Sequence, residues 1–206
     1  MACGTRRPQG VLVWFYRVEV LERVMVAALL VLIAGVYLLA AVLAVAALRG
    51  AAYSHARHTI SELAEAGSEY SGKVSYGVFL PVACALAVAA LLAAPFSSPV
   101  AALALSLALG YGSAALFPCD PGSPAIGSFR QGVHNLGGAA QYLGGALSLL
   151  LIAEALGWVF RAAGLLVAGA ALLLSFEGPV RGLIQRVAEL CLFLGLLTAV
   201  WMTPSA

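Results

Sequence analysis

The sequence predicts an all-α, polytopic integral membrane protein: six transmembrane helices in an antiparallel bundle, with a short interfacial N-terminal helix. Three observations carry that reading. The 206 residues are 63% hydrophobic and only 10% charged, against roughly 45–50% and 25% in soluble domains, and mean hydropathy is +1.00. The apolar residues fall into blocks close to the roughly 20 residues that span hydrocarbon. Between the blocks stand most of the prolines and nearly all of the charges.

The N-terminal 1–23 segment alternates aromatic with charged positions from Val11 to Arg23, which suits a helix lying in the interface, anchored by Trp14, Phe15 and Tyr16. Arg17, Glu19, Glu22 and Arg23 interrupt the apolar run where a signal peptide needs its hydrophobic stretch, so no cleavable signal is expected. The transmembrane domain is then 24–206. Its first span, Val24 to Leu48, carries no charge over 25 residues. The second runs from about Val74 to Ala94 and the third from Val100 to Phe117. Only APFSSP parts these two, and Pro95 and Pro99 force a tight hairpin. A fourth span covers about His134 to Ala153, a fifth Gly157 to Phe176 with Arg161 reaching back to the interface, and a sixth Gly182 to Met202.

Ten arginines, one lysine and nine acids give a net charge of +2, with no basic run longer than Arg6-Arg7, so nucleic acid is not an expected partner. Cys3, Cys84, Cys119 and Cys191 stand singly and read as small core residues. Five short-loop Lys and Arg residues fall on the terminal face and six on the opposite one, so charge bias barely selects an orientation. The four arginines before the first span favour a cytoplasmic N-terminus in a cell-membrane, multi-pass topology.

Six antiparallel spans place the connections 1–2, 3–4 and 5–6 on one face, and these hold most of the polar chemistry. Thr59-Ile60-Ser61-Glu62 matches a capping box, with Gly67 suited to close the short helix. Alternatively His58 and Glu62, four apart, form an acid–base or metal-binding pair. Asp120 in CDPG either shapes a proline-glycine turn or joins a site. From His134, helical steps reach Gly138, Gln141, Gly145 and Ser148, a small and polar stripe that faces protein; the glycines suit close helix packing, but His134, Asn135 and Gln141 need polar partners. Glu177 can pair with Arg181 and Glu189 with Arg186. No nucleophile elbow, phosphate loop, zinc-protease helix or dinucleotide glycine pattern occurs, so no reaction class is dictated.

HTISELAEAGSEYSG after the first span, LFPCDPG after the third and HNLGG at the fourth resemble, in order and placement, the prokaryotic membrane family called domain of unknown function 998, over roughly Val24 to Trp201. The first of these is also distantly similar to the first-loop motif of Frag and DRAM type membrane proteins, which are linked to lipid-anchor remodelling and autophagy. The resemblance implies a six-span fold and puts His58, Ser61, Glu62, Asp120 and His134 on motif positions. The distant relatives carry that loop outside the cytoplasm. Ala64 departs from the usual glycine, which is delayed to Gly67.

The leading functional expectation is a polar site at one membrane face that binds or processes a lipid or lipid-linked polar headgroup, with membrane lipid as partner. His58, Glu62, Asp120 and His134 are its candidate catalytic groups, as a hydrolase or transferase would need. Arg57, Ser61, Asn135, Gln141 and Arg181 are candidate binding groups, the arginines suiting phosphate. A divalent metal on His58, Asp120 and His134 is a variant. The alternatives are a small-solute or proton-coupled transporter, in which Gln141, Arg186 and Glu189 line a path, and a non-catalytic structural or regulatory protein.

Overall fold

The computed structural model describes residues 9–203, with side chains from residue 18 onward. Among these residues every regular element is helical. Six long helices follow one another: α1 (Gln9–Arg49), α2 (Ser71–Ala93), α3 (Ser98–Leu116), α4 (Phe129–Leu156), α5 (Trp158–Leu174) and α6 (Arg181–Met202). Five are long and apolar enough to cross a membrane, while α5 is a shorter apolar helix of 17 residues.

The expected separate interfacial helix is absent, because α1 runs without a break for 41 residues. At 1.5 Å per residue that is about 60 Å, roughly twice the hydrocarbon thickness. No glycine or proline lies between Val11 and Val24 to interrupt it. Glu19 and Arg23 form an i,i+4 ion pair at 2.8 Å across the end of that segment. The side chains of Trp14, Phe15 and Tyr16, and all of Cys3, lie outside the described residues.

Among the described side chains of α1 one stripe is buried, built on Val24, Ala27, Val31, Ala34, Leu38, Val42 and Ala46 with Ala28 beside it. Their spacing of three or four residues makes a helical seam, while Leu29, Leu39 and Leu43 on the other side are more than half exposed. In a membrane those leucines face lipid. α1 packs on α2 and α6, α3 on α2 and α4, and α5 on α4 and α6; α6 also reaches α3 and α4 across the middle.

Small residues set the α3–α4 distance. A Cβ on Gly137 would collide with the Ser113 side chain, and one on Gly144 would lie 2.5 Å from Ser106 Oγ. The stripe from His134 does face protein: a Cβ on Gly145 would lie 2.5 Å from a Leu192 methyl, and the Ser148 hydroxyl donates to the Gly144 carbonyl at 2.8 Å. Cys84 does not fit the core reading, being exposed on α2, whereas Cys119 is buried and Cys191 half-buried.

Two helix ends begin other than the apolar pattern suggests. α4 starts five residues before His134, because Ser128 accepts from the Gln131 N–H at 3.2 Å and caps it. α2 starts at Ser71 and relaxes into a π-turn over Ser75–Phe79. Pro81 has no N–H for the Gly77 carbonyl one turn back; the Tyr37 hydroxyl of α1 donates there instead, at 2.5 Å.

Candidate functional site

The connections α1–α2, α3–α4 and α5–α6 are tied into one layer. Ala66 N–H donates to the Cys119 carbonyl at 2.8 Å and Leu183 N–H to the Ala56 carbonyl at 3.0 Å. Gly122 N–H donates to Glu65 Oε2 at 3.2 Å, while Arg49 pairs with Glu65 Oε1 at 2.8 Å and donates to the Glu62 carbonyl at 2.6 Å. Burial pushes the Cys119 thiol up to about 12. It is therefore a neutral packing group, 3.4 Å from the Ser61 carbonyl that it donates to.

Within the first connection the capping box forms. Glu62 Oε1 accepts from the Thr59 N–H at 2.7 Å and the Thr59 hydroxyl at 2.9 Å, and Glu62 N–H reaches Thr59 Oγ1 at 3.4 Å. A 3₁₀ turn, Ser61–Ala64, follows, and Gly67 carries a φ of +85° that suits glycine. His58 Nδ1 accepts from the Ser54 N–H at 2.8 Å, and its ring lies 5.3 Å from that of Tyr53. The Glu62 carboxylate is thus committed to Thr59, and His58 to its own turn.

Asp120 organises the third–fourth connection. It accepts from Ser128 N–H at 2.8 Å, Ser128 Oγ at 2.9 Å and Arg130 at 2.6 Å. The Ser128 N–H, and then the Arg130 guanidinium, hold its carboxyl below the usual carboxylate range. Gln131, fully buried, accepts from the Asp120 N–H at 2.7 Å and donates to the Pro124 carbonyl and to Asn135 Oδ1. The turn closes through Ser123 N–H to the Asp120 carbonyl at 2.8 Å, with Gly122 at φ +76°. Ser123 itself sits at φ +46°, a strained position for a non-glycine residue. Arg181, donating to the Gly122 and Ser123 carbonyls at 3.4 and 2.9 Å, braces it.

Beneath this layer lies a cavity of about 490 Å³. Thr59, Ser61, Ser123, Asn135, His134 and Arg181 line its loop side, α5 supplies an apolar wall through Ala168, Ala171 and Leu172, and Tyr111, Gln141, Tyr142, Gln185 and Glu189 line its interior. Glu189 is 7% exposed. Its carboxylate accepts from the Tyr111 hydroxyl at 2.7 Å, the Tyr142 hydroxyl at 2.7 Å and Gln141 Nε2 at 2.6 Å. Gln185 Nε2 donates to the Tyr142 hydroxyl at 3.1 Å, and Gln185 Oε1 accepts from the Ile60 N–H at 2.5 Å. This network joins α3, α4, α6 and the first connection. Gly110 makes room for it, since a Cβ there would collide with the Gln141 side chain.

The ion pairs expected on α6 are replaced. Arg186 donates to the His55, His58 and Gly182 carbonyls at 2.7, 3.0 and 2.8 Å and to the Tyr53 hydroxyl at 2.7 Å, not to Glu189. Arg181 bonds the two loop carbonyls instead of Glu177. Carbonyls of irregular loops lack helical donors, and they compete successfully for both guanidinium groups.

His134 has the one imidazole in the cavity lining. Its Nδ1 lies 3.0 Å from the Phe117 carbonyl; a carbonyl only accepts, so Nδ1 carries the proton and Nε2 is an acceptor. Nε2 has no protein partner among the described residues.

Of the candidate residues, Ser61, His134, Asn135, Gln141 and Arg181 line this cavity. His58, Glu62, Asp120 and Arg57 do not, and this corrects the expected convergence: the first three are spent on turns and caps, and Arg57 is exposed. Among the described residues no three His, Cys, Asp or Glu side chains group closely enough to hold a metal, so His58, Asp120 and His134 form no ligand set. Tyr111 and Tyr142 escaped the sequence reading; Tyr142 beside Gln141 was the available signal.

No curated protein and no solved structure matches this chain. A family model, described as protein of unknown function (DUF998), matches residues 20–202, from the charged end of α1 to the last turn of α6. The chain belongs to that family of membrane-type helical proteins.

Proposed function

We propose that this protein binds the polar headgroup of a membrane lipid, or of a lipid-linked group, in the cavity beneath the loop layer. One observation carries the reading: a single cavity presents a guanidinium at its loop side, a hydrogen-bonding cluster at its base and an apolar wall on α5. Arg181 has no carboxylate partner among the described residues, and its Nε is buried without an acceptor. A phosphate in the cavity would neutralise the Arg181 charge. Arg181 and Glu189 lie eight residues apart on α6, about 12 Å along the helix axis, leaving room between them for a headgroup with several hydroxyl or amide groups. Any turnover of that headgroup falls to His134, whose free Nε2 is placed as a general base. We further propose that all six helices cross the membrane and that the loop layer faces away from the cytoplasm.

Transport draws less support. Below Glu189 the core is closed by Leu149, Leu192 and Leu196, each 0% exposed, and the Ser106 and Ser148 hydroxyls nearby are turned onto their own helix carbonyls.

The test is lipid bound to the purified protein, counted by native mass spectrometry. Gly138 lines the cavity and a Cβ there meets nothing within 4 Å, so Gly138→Leu directs its side chain into that space. We expect Gly138→Leu, by occupying the space, and Arg181→Ala, by losing a charged hydrogen bond, each to lower the lipid held in this cavity about tenfold, leaving lipid bound elsewhere on the protein unchanged. Lipid content unchanged in both variants would sink the proposal and favour a structural role.

A further inference from the structure

A second cavity of about 490 Å³ lies on the other side of α6, between α6 and α1. Leu39 and Leu43 of α1 and Leu190 and Leu194 of α6 form its walls, all more than half exposed. Gly35 lets the Phe193 ring of α6 pack closely on α1: a Cβ there would lie 3.2 Å from it. The groove extends from Val31 to Leu43 on α1 and from Arg186 to Leu197 on α6. At 1.5 Å per residue these are about 18 and 16 Å, close to the roughly 15 Å depth of one leaflet of a 30 Å hydrocarbon layer.

Its polar end is the loop end. There Arg186 and His55 line the groove. The Arg186 guanidinium is held by three carbonyls and the Tyr53 hydroxyl, with no carboxylate within ion-pair distance among the described residues. Neutral acceptors orient this cation and leave its charge uncompensated. Burial, and then the Arg186 charge, lower the His55 pKa, so near neutral pH His55 is an uncharged hydrogen-bonding group and the charge at this end is that of Arg186.

We propose that the α1–α6 groove is a binding site for one acyl chain of an anionic phospholipid, with the lipid phosphate at Arg186. The length suits one leaflet, the apolar walls suit a hydrocarbon chain, and the unneutralised cation stands at headgroup height. The site lies on the other side of α6 from the headgroup cavity and does not depend on it, although Glu189 and Ile60 border both.

The experiment titrates the full chain in detergent with phosphatidylglycerol and with phosphatidylcholine of identical acyl chains, followed by native mass spectrometry. One phosphatidylglycerol is expected to bind about tenfold more tightly than phosphatidylcholine. Leu39→Trp, which fills the groove and touches no polar group, should abolish that complex, and Arg186→Lys should reduce the anionic preference. Arg181→Ala and Gly138→Leu should leave it unchanged, so that failure of this site and of the headgroup cavity read out separately. Equal binding of the two lipids, or phosphatidylglycerol binding that persists in Leu39→Trp, overturns the proposal. So does a dimer that Leu39→Trp dissociates, which would assign the groove to a second copy of the chain.

Discussion

Glu62 and Glu189 are both buried carboxylates, and their partners separate their tasks. Glu62 closes a local box on Thr59, three residues away, whereas Glu189 gathers donors from two other helices. Glu62→Gln should therefore leave the Thr59 N–H satisfied and stability nearly unchanged, while Glu62→Ala should cost about 1–2 kcal/mol in denaturation midpoints. Equal loss of lipid turnover in both variants, with stability intact, would return Glu62 to chemistry. Asp120 gives a pH signature. Its folded pKa is depressed, first by the Ser128 N–H and then by Arg130, so its contribution is complete above the unfolded carboxylate pKa of about 3.9 and is lost as pH falls through the folded value. Melting temperature should thus fall more steeply below about pH 4 in the wild type than in Asp120→Asn.

At the level of elements, the loop layer depends on how closely α6 approaches the first connection. A Cβ on Gly182 would collide with the His58 carbonyl and lie 2.6 Å from that of His55, and backbone cannot swing aside as a side-chain tip can. Gly182→Ala should destabilise by about 2 kcal/mol, in the range for overpacking, and should speed tryptic cleavage at exposed Arg57. Gly132→Ala is the matched control: nothing lies within 4 Å of its Cβ, and alanine in an exposed helix should be neutral or stabilising by up to about 1 kcal/mol. Opposite signs for these two substitutions check the loop-to-helix contact directly.

For the whole molecule, the proposed six crossings fix which segments share a side. Arg57→Cys and Gly178→Cys should both react with an impermeant thiol reagent on intact cells, and Ser97→Cys only after permeabilisation. Labelling of Arg57→Cys and Gly178→Cys from opposite sides would mean that α5, at 17 residues, does not cross. The hydrogen bonds from Arg181 and Arg186 to the other two connections favour the common side.

The helical membrane class, the approximate helix positions, the Thr59–Glu62 box and the Asp120 turn were all legible in the sequence, because each rests on neighbours within a few residues or on block length. The fused N-terminal helix was legible in part, through the missing breaker between Val11 and Val24, but aromatic-charged alternation outweighed it. Partner choice was not legible. Arg186 lies three residues from Glu189 and yet bonds loop carbonyls more than 120 residues earlier in the chain, while Glu189 takes hydroxyls from α3 and α4. Local spacing offers a charged side chain its nearest opposite charge; the folded bundle offers it buried, donor-poor carbonyls and hydroxyls that must also be satisfied. The sequence by itself determined that three polar connections share one face. Only the tertiary structure decided that His58, Glu62 and Asp120 hold those connections together, while His134, Arg181 and Glu189 meet in the cavity below, because that division depends on which groups the packing leaves without partners.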